Sequence, residues 1–275
     1  MSWNFLASRK GKNRLIGIFD SGIGGLTVAK AVMEIFPDLS ICYFGDTART
    51  PYGTKSKETV TRYAVENTRF LLAQGAKIIV VACNTASAVA IPTLRSTFDA
   101  PIFEVISPAV DMALSHAKAK RIGVIGTRAT INSGIYERLI TELDPDRKVF
   151  SEPCPLLVSL VEEGWLKKPE TRMIVKKYLR PLKAQQIQAL ILGCTHYPIL
   201  KQLIAHKIGK RVKIVDSSEA VTISLKQFLD DNPKVLASLA KGGDSTIYVS
   251  DVTKQFAKTA QLILNRKVEL NHADV

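Results

Sequence analysis

The chain has 275 residues, 46% of them apolar and 23% charged, a balance that excludes intrinsic disorder and suits one large domain or two of ordinary size. Lysine and arginine exceed aspartate and glutamate by 13, which admits an anionic partner or substrate without naming one. No apolar run approaches the roughly 20 residues needed to span a bilayer, and no secretory apolar segment opens the chain.

Residues 15–19 are a short apolar run, read as a buried parallel strand, that stops at Asp20-Ser21-Gly22-Ile23-Gly24-Gly25. A helical period follows over 26–35 and ends at Pro37. Residues 41–44 read as the second strand. The loop over 45–53 is long for a strand-to-helix connection and rich in turn residues, the marks of a functional loop. A helix is expected over 57–74 and a third strand over 77–82, with Cys83 at its end. A helix begins soon after Thr85, and a further strand occupies 101–105.

The pattern then restarts. Residues 121–127 repeat the strand and polar turn of the chain's beginning, with a helix from about Ala129. Aligning Gly17 with Gly123 sets Asp20 against Gly126; Cys83 then lies 63 residues past the first mark and Cys194 68 past the second. The two halves carry a cysteine at nearly the same place, as a duplicated α/β unit would. Pro153-Cys154-Pro155 precedes an apolar period over 156–163, and a basic helix is expected over 170–186. The strand over 189–192 carries Cys194. Another, over 212–215, ends at Asp216-Ser217-Ser218, the N-cap of a helix over 219–229. The tail holds a strand at 247–249 and a helix over 253–264. Alternating strands and helices predict an α/β fold with mainly parallel sheets.

Residues 165–213 hold twelve basic side chains against Glu170 alone. Such a run is ordinarily a solvated helix face. No nucleic-acid signature accompanies it, so nucleic acid is not expected as a partner.

The four cysteines form no CxxC pair, which fits reduced thiols in a cytoplasmic protein. A cysteine in a buried strand usually serves as a small hydrophobe, and Cys42 and Cys154 read that way. Cys83 and Cys194 differ. Each stands where a strand ends and a helical pattern begins, and each is followed by hydrogen-bonding residues, Asn84-Thr85 and Thr195-His196. A helix N-terminus there would favour thiolate. His196, two residues from a thiol, can hold or relay its proton. No HxH, HExxH or Cys/His cluster at ligand spacing occurs, so no metal is expected.

The glycines at 22, 24 and 25 do not complete GxGxxG, because Thr27 stands where the third glycine belongs, and no Walker lysine follows. Asp20 reads better as an acid or amine partner, with the glycines letting backbone N–H groups approach a carboxylate. Two thiols at pseudo-equivalent positions suggest removal of a proton from one face of a carbon and return to the other.

Six stretches, in order along nearly the whole chain, carry a resemblance to a known family. They are GIFDSGIGGLTV from Gly17, YFGDTARTPYG from Tyr43, ACNTASA from Ala82, IGTRAT from Ile125, LGCTHYP from Leu192 and VDSS from Val215. The chain resembles the cofactor-independent glutamate racemases of the aspartate/glutamate racemase superfamily. That resemblance implies two similar α/β domains related by a pseudo-twofold axis, with the active site in the cleft between them. The division expected is 1–108 with 218–275, and 109–217. It implies Cys83 and Cys194 as the acid/base pair, Cys83 acting on D-glutamate and Cys194 on L-glutamate, assisted by Asp20 and His196. Asp20 would also lie near the substrate amine. Ser21, Asn84, Thr85 and Thr195 would hold the α-amino and α-carboxylate groups; Pro51, Tyr52 and Gly53 the side-chain carboxylate. Thr127, Thr130 and Glu162 are further implied contacts, with Glu163 adjacent as an alternative to Glu162. No cofactor, a homodimer, a bacterial cytoplasmic setting and a role in peptidoglycan synthesis complete what the family implies. With about a dozen residues before the first strand, dependence on a muropeptide activator is not expected. Aspartate as substrate, or a small-acid binding module without activity, are the competing readings.

Overall fold

The computed structural model describes residues 14–116 and 119–275. The first half runs β1 (Leu15–Asp20), α1 (Leu26–Ile35), β2 (Ile41–Gly45), α2 (Lys57–Ala73), β3 (Ala76–Val81), α3 (Asn84–Thr97), β4 (Ile102–Glu104) and α4 (Ile106–Leu114). The second runs β5 (Arg121–Gly126), α5 (Arg128–Asn132), α6 (Ile135–Leu143), β6 (Lys148–Pro153), α7 (Leu156–Glu162), α8 (Pro169–Ala184), β7 (Ala189–Gly193), α9 (Lys201–Ile208) and β8 (Lys213–Asp216). The tail adds α10 (Ser217–Asp231), α11 (Pro233–Ser238), β9 (Ser245–Val249), α12 (Lys254–Leu264) and β10 (Leu270–His272).

Two sheets result, ordered β10-β9-β2-β1-β3-β4 and β6-β5-β7-β8, with parallel pairing between every named pair of strands. The central strands are buried almost throughout, as strands covered on both faces must be. The order β2-β1-β3-β4 in one sheet is repeated by β6-β5-β7-β8 in the other. The duplication expected from cysteine spacing is thus a repeat of strand order. Two apolar layers pack on the first sheet, one including Ile18, Leu26 and Val80 and the other Phe19, Val60 and Val81. The second sheet packs Leu157, Val175 and Leu190 on one side, and Ile106, Val110 and Ile191 on the other.

Several elements differ from expectation. The helix expected from Ala129 is two, α5 and α6, broken where Gly134 takes a left-handed φ of 65°. Strand β6 was not expected, since KVFSEP carries Lys148, Ser151, Glu152 and Pro153 and has no apolar run; it is an edge strand with no fully buried residue. Helix α4 also went unpredicted. Its first amides, Ile106 and Ser107, donate to the Glu104 carboxylate at 2.6 and 2.8 Å, a cap set two residues ahead of the helix. Asp216 does cap α10, accepting from the Ser218 amide at 3.0 Å. Among the described residues no helix is long and apolar enough to cross a membrane.

Cys42 is core, 1% exposed within β2, and burial pushes its thiol up to about 12. An unfolded thiol ionises near 9.0. Between those values the unfolded chain holds fewer protons, so this group's contribution, complete below pH 9, is lost as pH rises toward 12. Urea unfolding at pH 8 and 10.5 should show Cys42→Ala losing about 2 kcal/mol less than the parent over that interval. Equal losses in the two proteins would contradict it.

Both sheets change direction at a central strand. The chain leaves β1 for β2 on one side and returns to β3 on the other; it does the same around β5. Such a switch point splays the loops at the strands' carboxyl ends and opens a crevice there. Asp20 and Cys83 sit at the ends of β1 and β3, and Thr127 and Cys194 at the ends of β5 and β7.

Candidate active site

Asp20 is wholly buried. Its Oδ2 accepts from the amides of Gly22 (3.1 Å) and Gly25 (3.0 Å), and its Oδ1 from the Thr195 hydroxyl (3.3 Å). The sequence pattern suggested amides aimed at a ligand carboxylate; two of them instead serve Asp20 itself. Burial pushes the Asp20 carboxyl above its ordinary value, against the opposing pull of His196 and these three donors.

Cys83 is the N-cap residue of α3, where a depressed pKa was expected. That expectation fails. Burial first, and the Asp20 carboxylate second, push the thiol up to about 12; the nearby Ala86 amide and Ser21 hydroxyl offset only part. Removal from water outweighs the helix end because the loss of hydration acts on the whole charge, whereas the helix end supplies about half a charge.

No α-helix begins at Cys194. A single 3-10 turn, Tyr197–Leu200, separates it from α9, so the second thiol lacks the expected helix N-terminus. It has an imidazole instead. His196 Nδ1 lies 3.8 Å from Cys194 Sγ, and its Nε2 lies 3.2 Å from Glu162 Oε1. Burial works against a charge on the ring, yet Cys194 and Glu162 together raise His196 well above the usual histidine value. A protonated imidazole between a sulfur and a carboxylate can give its proton to the sulfur and recover it.

A small cleft, about 310 Å³ of space partly open to solvent, lies between the strand ends of the two sheets and is lined by Cys83 and Cys194 together. Ser21, Pro51, Tyr52, Gly53, Asn84, Thr85, Thr127, Thr195 and His196 complete the wall expected from sequence. Three expected contacts stand one layer behind it. Asp20 lies beneath Cys83. Thr130 backs the wall, 3.0 Å from the Thr127 hydroxyl and 3.3 Å from that of Thr85. Glu162 holds His196, while Glu163 is exposed at the end of α7, so of the two glutamates Glu162 belongs to the site.

Sequence reasoning left out Thr50 and Val158, which also line the cavity. Val158 gave no signal, being one apolar residue of a helical period. Thr50 immediately precedes Pro51 in the loop already marked as functional, but its orientation is a tertiary property. Its hydroxyl is buried without a hydrogen-bond partner among the described residues, as is the Asn84 Nδ2. The Tyr136 hydroxyl donates to Asn84 Oδ1 at 2.7 Å, which fixes the amide and leaves its NH₂ unengaged. Two unmet donors on one cavity wall suit an oxygen-rich ligand, since buried polar groups are rarely left unpaired.

The loop carrying Thr50 and Tyr52 is braced from behind. Arg49 Nε donates to both Asp46 oxygens (2.9 and 2.7 Å), and its guanidinium also bonds Glu66 and Asn67 and lies 4.1 Å over the Tyr63 ring. Asp46 in turn accepts from the Tyr52 hydroxyl, and Asn67 donates to that same oxygen at 3.0 Å.

The family model for Asp/Glu/hydantoin racemases matches residues 27–223. A glutamate racemase of Syntrophus aciditrophicus is 44% identical over 257 residues, 92% of this chain and 93% of the relative. The chain belongs to the glutamate racemase family. It is an amino-acid racemase, an isomerase. A crystal structure of a glutamate racemase isoform from Bacillus anthracis superposes with a TM-score of 0.89 at 37% identity, covering 96% of this chain and 99% of the other. That of Francisella tularensis glutamate racemase in complex with D-glutamate gives 0.88 at 39% identity, covering 96% and 98%. The paired sheets of this racemase are therefore those of the family.

Proposed function

We propose that this racemase interconverts L- and D-glutamate through two thiols, without a cofactor, and supplies D-glutamate for peptidoglycan. The observation that carries the reading is Cys83 and Cys194, one from each sheet, on the wall of one small cavity with Asp20 behind the first and His196 beside the second. Cys83, its thiol proton first passed to the Asp20 carboxylate beside it, takes the α-proton of D-glutamate as thiolate, and the electron pair left on carbon spreads into the α-carboxylate. The Cys194 thiol then delivers a proton to the opposite face, giving L-glutamate. The reverse reaction exchanges the roles. Proton and charge balance at each turn: one thiolate becomes a thiol as the other thiol becomes a thiolate.

The amide of Asn84 and the hydroxyls of Ser21, Thr85 and Thr195 would meet the amino-acid head group, and their donors oppose the charge building on its carboxylate. Thr50, with Pro51, Tyr52 and Gly53, would meet the side-chain carboxylate, on the braced loop. The division into 1–108 with 218–275 and 109–217 belongs to the same reading. It is supported by β9 and β10 completing the first sheet.

Racemisation followed by circular dichroism tests the substrate. Turnover of both glutamate enantiomers should exceed that of either aspartate enantiomer by at least about 10²-fold in kcat/KM, the scale on which a site built for one polar group rejects an analogue that misplaces it. Faster turnover of aspartate would reject the assignment.

A further inference from the structure

We propose that a groove beside the active-site cavity is an anion vestibule, which gathers the dicarboxylate substrate through Lys55, Lys57 and Arg138. It rests on the glutamate reading above. A dicarboxylate amino acid is a net anion at neutral pH, yet among the described residues the cavity wall carries no lysine or arginine, and its His196 imidazolium is engaged by Cys194 and Glu162. Asp20 and Glu162 lie close behind that wall, and Glu162 offsets the charge of the His196 imidazolium that it holds. Attraction at longer range then comes from outside the cavity.

The adjoining groove, about 1070 Å³ of space partly open to solvent, supplies it. Lys55, Lys57 and Arg138 all line it, and among the described residues no acidic side chain does. All three are exposed, and none is in an ion pair among the described residues. Glu58 and Glu137, next in sequence to two of them, lie off the wall. Groove and cavity share Thr85 as a common wall. The partition between them is thin: the Thr85 and Thr127 hydroxyls bond at 2.9 Å, and the Tyr52–Thr54 turn rests on α5.

The placement of Lys57 is not what helix stability asks for. It is the first residue of α2, where the helix dipole disfavours a cation, while Ser56 caps and Glu58 complements that end. Arg138 approaches from α6 of the other half, so the three charges converge from both sides of the cleft. Cations lining a concave surface focus their field and concentrate an anion there, an effect that added salt screens.

The test compares the wild-type enzyme with two triple variants: Lys55→Gln, Lys57→Gln, Arg138→Gln, and the charge-retaining Lys55→Arg, Lys57→Arg, Arg138→Lys. At low ionic strength the neutral triple should lose about tenfold in kcat/KM for glutamate with kcat unchanged. The loss should shrink toward nothing as sodium chloride is raised, and the charge-retaining triple should keep wild-type kcat/KM. Unchanged kcat/KM in the neutral triple overturns the vestibule alone. An equal loss in both triples, insensitive to salt, also overturns it, because packing and not charge would then be responsible. A wild-type enzyme that does not turn over glutamate overturns the substrate reading together with the vestibule built on it.

Discussion

Cys83→Ser and Cys194→Ser should each lower racemisation of glutamate by about 10³-fold or more, the scale expected when an acid/base group is lost. A serine hydroxyl ionises far less readily than a thiol, so each variant lacks one base while its cavity keeps nearly the same shape. A racemisation has an equilibrium constant of unity by symmetry, which ties kcat/KM in the two directions together. Net rates therefore cannot show which thiol serves which enantiomer. Exchange can. In heavy water, Cys83→Ser should still wash deuterium into L-glutamate, through Cys194, and not into D-glutamate. Cys194→Ser should do the reverse. Racemisation at the wild-type rate by either variant would end the two-thiol mechanism, and exchange of both enantiomers in both variants would end the assignment of faces.

The second large effect comes from two glycines where the halves of the site meet. A Cβ on Gly24 would stand 2.5 Å from His196 Nδ1 and 2.6 Å from Thr195 Oγ1. A Cβ on Gly25 would stand 2.3 Å from Asp20 Cβ and 2.9 Å from the Tyr43 hydroxyl. Neither neighbour can yield freely. His196 is held by Glu162, and Asp20 is pinned by three hydrogen bonds. Gly24→Ala should move the imidazole off Cys194 and lower kcat about 10²-fold, since displacement of a reacting group by about 1 Å costs that much. Gly25→Ala should destabilise the fold by about 1–3 kcal/mol as well, through overpacking against β1. Thermal melts and turnover of the two variants check both statements. Wild-type turnover in Gly24→Ala would show that the close approach of this loop to His196 is not needed.

These glycines show how far sequence reasoning reached. They marked the turn after the first strand as a place of close backbone approach, which it is. The partner was misjudged, because a pattern of glycines says that something comes close and not what. Asp20, at the end of β1, and the side chains at the end of β7, 175 residues on, meet only once both sheets are formed. The thiols divide in the same way. That Cys83 and Cys194 end equivalent strands was legible, because apolar runs of strand length bounded by polar turns can be counted. That Cys83 is pushed up was not legible, since burial and a neighbouring carboxylate decide it. The 3-10 turn after Cys194 was hidden as well: its four residues, YPIL, are too few to set one periodicity against another.

The sequence by itself determined the alternation of strands and helices, the repeat of that alternation, the family and the place of Cys83 and Cys194 at the ends of equivalent strands. Each depends on local apolar period or on motif residues that stay together along the chain. The tertiary structure decided what surrounds those thiols. It placed Glu162 behind His196, turned the Gly22 and Gly25 amides onto Asp20, left the Thr50 hydroxyl and the Asn84 Nδ2 without partners among the described residues, and drew Arg138 toward Lys55 and Lys57 across the cleft. Charge, burial and hydrogen bonding are set by distance in space, and these partners are joined through the packing of two sheets, not through the order of the chain.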